Sequence, residues 1–150
     1  MPYEKAANLA RSISLSSPWD AHMALSQYDP HEHINPGTWL ELDESERMQV
    51  VRRYHRRQQI RLPNETVHAV VHVIVENQVA LGDRFPARAV LLRLMKEGLD
   101  RHEAIHAIGS VLSEEFFVAM SGQETESNLN ADYIEKLKSL TADSWRKQAP

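Results

Sequence analysis

Two stretches of this chain, His68-Ala-Val-Val-His72-Val-Ile74 and His102-Glu-Ala-Ile-His106-Ala-Ile108, each set two histidines four residues apart within an apolar, helix-forming run. Residues four apart on a helix share a face, so each pair can aim both imidazoles at one point. Imidazole is the commonest side-chain ligand for divalent transition metals. The chemistry this spacing suggests is coordination of zinc, iron, nickel or manganese by His68, His72, His102 and His106. Glu76, one turn beyond His72, is a fifth candidate ligand; otherwise it is a solvated carboxylate or a partner that orients an imidazole.

The two segments match in angle as well as in spacing. At about 100° per residue, Val67, Val71, Ile74 and Val75 spread to one side of His68 as an apolar arc, with His72 on the other side. Ile105, Ile108, Leu112 and Phe116 form the same arc beside His102, and His106 takes the place of His72. Both pairs are therefore expected at the edge of a core-facing stripe. If the intervening helix returns the chain, the two histidine helices run roughly parallel and their four imidazoles form one layer. A single histidine at a core boundary is most often a packed, hydrogen-bonded ring, but two matched pairs favour metal.

Catalytic patterns fit less well. His102-Glu103-x-x-His106 matches the H-E-x-x-H signature of zinc peptidases, in which the glutamate activates water. Here Glu103 also completes a capping box with Asp100, which gives it a structural task. Glu65-x-x-His68 and Glu103-x-x-His106 supply half of a di-iron carboxylate pattern, and no inward glutamate supplies the other half. Glu97 and Glu46 read as terminal and capping charges. Metal binding without catalysis is the first expectation. The competing class is a protein-interaction module, or a homo-oligomer, with a structural histidine layer.

The elements that must position these side chains are helical throughout, because no segment alternates with a period of two. Asp43 with Glu46 forms a capping box opening a helix to about Gln59. Asn64 caps the next, to about Leu81. Pro86 suits the first turn of another, ended by Gly98. Asp100 with Glu103 opens a helix to about Met120, and Asn130 is expected to cap a last one over 131–147. A weak helix over 3–15 precedes a proline-rich loop pinned by Trp19 and Trp39. The expected fold is a single all-α domain over 1–150, a bundle of five or six helices. Residues 1–42 make a loop-rich arm, the core spans about 43–120, and the C-terminal helix follows.

The chain has 150 residues, no cysteine and a net charge of −4. Lack of cysteine excludes disulfides, thiolate metal sites and a cysteine nucleophile. The negative balance argues against nucleic acid, and no apolar run reaches membrane-spanning or signal-peptide length, so a cytoplasmic protein is expected. Arg52-Arg53-Tyr54-His55-Arg56-Arg57 is the one basic cluster and reads as a solvated helix face. His31-x-His33 is a loop pair of low specificity.

Val67 to Gln78 together with Arg101 to Ala107 resemble an uncharacterised bacterial family, filed as a domain of unknown function. Its members are small helical proteins with two H-x-x-x-H pairs and a nearby glutamine. The similarity covers roughly Trp39 to Phe117 and implies a shared helical fold with equivalent histidines at His68, His72, His102 and His106. Gln78 also matches; its own placement inside the apolar arc suggests a buried amide with fixed hydrogen bonds. The family brings no established activity.

Overall fold

A computed structural model of the chain describes residues 27–122 and 126–148. The expected helix over 3–15 and the pinning role of Trp19 lie outside the described residues. Among those described, every regular element is helical: α1 (Pro36–Glu41), α2 (Glu44–Arg57), α3 (Glu65–Ala80), α4 (Ala87–Lys96), α5 (Arg101–Met120), α6 (Glu126–Ser139) and α7 (Ala142–Gln148), with a 3-10 turn at Gly82–Arg84. No helix among them is long and apolar enough to cross a membrane.

Among the described residues the helices number seven rather than five or six, for identifiable local reasons. Within the proline-rich segment, Asn35 accepts a hydrogen bond from the Thr38 amide at 3.1 Å and Pro36 fills the first helical position, which together start α1. The expected C-terminal helix begins earlier, at Glu126, so Asn130 lies inside it rather than at its cap. It also breaks in two. The Thr141 hydroxyl accepts from the Ser144 amide at 3.0 Å, and the Ser144 hydroxyl accepts from the Thr141 amide at 3.1 Å. This reciprocal cap starts α7 afresh. Glu97 adds to it by accepting from the Ala142 amide at 2.7 Å. That bond and the Arg93 guanidinium hold the Glu97 carboxyl below its ordinary range.

Residue contacts divide the chain into two compact units, 1–73 and 74–150, with the boundary inside α3. In the first unit, the Asp43–Glu46 capping box opens α2. Val50, Val51, Tyr54 and His55 form the helix's buried stripe. Tyr28 and Trp39 are buried as well, with ring centroids 5.7 Å apart. In the second unit, α5 packs against α4, α6 and α7. Leu91, Leu94, Ile105, Ile108, Leu112 and Leu137 are buried there. Each such aliphatic side chain contributes about 1.5–3 kcal/mol from burial.

The apolar arc expected on α3 is rotated in the structure, whereas on α5 Ile105, Ile108 and Leu112 of the expected arc are buried. On α3 the buried residues are Ala69, His72, Val73, Val75 and Glu76, whereas Val67 is 56% exposed. On α5 Phe116 is 45% exposed while Arg101 and Glu115 are buried. Ala69, His72, Val73 and Glu76 follow the i, i+3, i+4, i+7 pattern of one helix face. Polar residues thus occupy the middle of that stripe, where a reading by hydropathy places aliphatic ones.

Candidate metal centre

Three imidazoles gather in the first unit. Helix α2 supplies His55, one turn after Val51 on its buried stripe, and α3 supplies His68 and His72. Ring centroids are 4.6 Å apart for His55 and His68, 4.8 Å for His55 and His72, and 5.0 Å for His68 and His72. His55 and His72 are almost wholly buried, and His68 is half-buried. The Nε2 atoms of His55 and His68 are 3.0 Å apart. At that distance the two rings share a hydrogen bond, one Nε2 donating and the other accepting.

The hydrogen bonds decide which nitrogens face the cluster. His55 Nδ1 lies 2.8 Å from the Val51 carbonyl, which can only accept, so Nδ1 carries the proton and Nε2 keeps its lone pair. Burial pushes the pKa of His55 down, against smaller upward pulls from that carbonyl and from Glu65. The ring is therefore held in the neutral form a metal requires. His72 Nδ1 meets the hydroxyl of Tyr28 at 3.2 Å, so its Nε2 points elsewhere. Fixing one ring nitrogen to orient the other is the usual arrangement around metal-binding histidines.

The second unit holds the other pair. Asp100 and Glu103 form a capping box that starts α5 one residue before His102. His102 and His106 follow on one face, with ring centroids 4.3 Å apart and planes tilted by 58°. The neighbouring Arg101 is buried and makes two hydrogen bonds to Glu76, at 2.9 and 2.8 Å. Glu76 is 2% exposed, so this is a buried, bidentate ion pair engaging both carboxylate oxygens. Gln78 accepts from the Tyr133 hydroxyl at 2.6 Å, a fixed amide hydrogen bond, and burial pushes the Tyr133 pKa up.

Two glutamates weighed for catalysis have other partners. Glu103 is exposed and closes its capping box by accepting from the Asp100 amide at 3.0 Å. Glu65 pairs with Arg56 at 2.8 Å and with Arg52 at 3.5 Å. In the loop, His31 is held by Asp29 at 2.9 Å and by the Tyr54 hydroxyl at 3.2 Å, while His33 is exposed.

Sequence reasoning passed over His55, because it sits in an arginine-rich hexapeptide read as a solvated face. The signal was present: Val51 and His55 are one turn apart, and Tyr54 extends the same stripe. Arg101 was also overlooked, since the first residue of a helix ordinarily faces water. No protein-family model, no curated protein and no solved structure matches this chain.

Proposed function

We propose that the chain binds one divalent transition-metal ion through His55, His72, His102 and His106: the ring centroids of His55 and His72 stand 4.8 Å apart, and those of His102 and His106 4.3 Å apart. That closeness carries the reading. Gathered imidazoles cannot all take up protons, because like charges repel, and the neutral ring is the form that binds metal. The Val51 carbonyl supports the same reading, since it fixes the proton of His55 on Nδ1 and leaves the lone pair on Nε2, while the Tyr28 hydroxyl holds His72 by Nδ1.

In this reading His68 stands beside the ligand set as the hydrogen-bond partner of His55 and yields that position when the ion arrives. Glu76 remains with Arg101, so the ion meets nitrogen alone. An all-imidazole set suits zinc, iron or nickel and disfavours manganese, which prefers oxygen ligands. Four protein ligands around a tetrahedral ion close its coordination sphere, which makes the site one for holding metal rather than for chemistry on a substrate.

Metal analysis of protein purified after metal-supplemented expression tests this directly. The expected result is one equivalent of zinc, iron or nickel per chain, falling sharply in His72→Ala. Metal-free protein under those conditions would overturn the reading and leave the histidines as a structural layer.

A further inference from the structure

The arginine-rich face of α2 is not used by the metal reading. Gln49, Arg52, Arg53, Arg56 and Arg57 line an open groove of about 490 Å³. Their spacing follows i, i+3, i+4, i+7 and i+8, one stripe of a helix about 12 Å long at 1.5 Å per residue. The volume is within the ~300–1,000 Å³ range of small-ligand sites.

The groove carries a positive excess. Glu65 is shared between Arg56 and Arg52. Arg53 and Arg57 are exposed and form no ion pair among the described residues. They lie one turn apart, where like charges repel. The Nε of Arg52 is buried without a hydrogen-bond partner, the Glu65 carboxylate standing 3.5 Å away. A buried donor held only by this long ion pair can take a closer acceptor. All four cations are arginines, whose planar forks match phosphate oxygens two at a time.

We propose that this groove binds a small phosphate-bearing ligand. A nucleic-acid backbone has the same chemistry, but the chain's net charge of −4 opposes a long polyanion while leaving a compact one free to enter the groove. This inference does not depend on the metal reading.

The test is calorimetric titration of the full chain with inorganic pyrophosphate, in the wild type and in a variant carrying Arg53→Gln and Arg57→Gln. Both substituted side chains are exposed, so the variant should keep its thermal midpoint. Expected is saturable one-to-one binding that weakens about tenfold or more in the variant, as loss of charge-assisted hydrogen bonds predicts. Metal content should be equal in the two proteins. His72→Ala should still bind pyrophosphate, which separates the groove from coordination at a metal. Absence of saturation, or equal affinity in the arginine variant, would overturn the proposal. So would tight binding of a mixed-sequence oligonucleotide that pyrophosphate cannot displace.

Discussion

His55 shows how one residue's surroundings set its chemistry. Its neighbours in sequence are arginines and a tyrosine, yet its ring is buried, with Nδ1 fixed on a carbonyl and Nε2 toward other imidazoles. Because burial holds its pKa below the ordinary 6.5, the unfolded chain takes up a proton more readily than the folded one. The stability this neutral ring allows is full above that value. It is lost as pH falls from there toward the lowered folded pKa. In metal-free protein, urea midpoints should therefore drop more steeply from neutral pH to about 5 in the wild type than in His55→Gln, which has no titrating group there. Parallel slopes would show that His55 is not held neutral by the fold. The i, i+4 pairs were legible in the sequence because both members share an apolar run. His55 was not, because the charged residues around it dominate any local average and its burial depends on only one stripe of α2.

At the scale of elements, helix starts were the most legible feature. Asp43, Asn64 and Asp100 each cap the helix expected of them, because capping is decided within four residues and needs no tertiary partner. The break between α6 and α7 is also local, set by Thr141 and Ser144, but a hydroxyl pair is a weaker signal than a carboxylate capping box. What stayed illegible was long-range pairing. Arg101 and Glu76 are 25 residues apart in sequence, and neither type is expected inside a core. A buried pair of this kind contributes little over an apolar replacement, but removing one partner strands a charge. Arg101→Met should accordingly destabilise the protein by about 3–5 kcal/mol in urea unfolding. Adding Glu76→Met to it should recover much of the loss, since both charges are then gone. A double variant no better than Arg101→Met alone would mean that the pair's hydrogen-bond geometry, not the stranded carboxylate, sets the cost.

For the molecule as a whole, the helical class could be read from the period of the hydrophobic pattern, while the metal proposal depends on residues distant in sequence. Binding that is confined to the folded state must raise its stability. With free metal at about a hundred times the dissociation constant, the gain is about 2.7 kcal/mol. Chelator should therefore lower the thermal midpoint of the wild type and leave His72→Ala and His102→Ala almost unmoved. Thermal scans with and without chelator, on samples whose metal content has first been measured, read this directly. His33→Ala is the control, since that exposed loop histidine lies outside the proposed ligands and should respond to chelator like the wild type. The increment should also fade as pH falls through about 6, because protons compete with the ion for the same imidazole lone pairs. A metal-loaded wild type whose midpoint ignores chelator would place the ion outside the histidine group, on a surface that unfolding leaves intact.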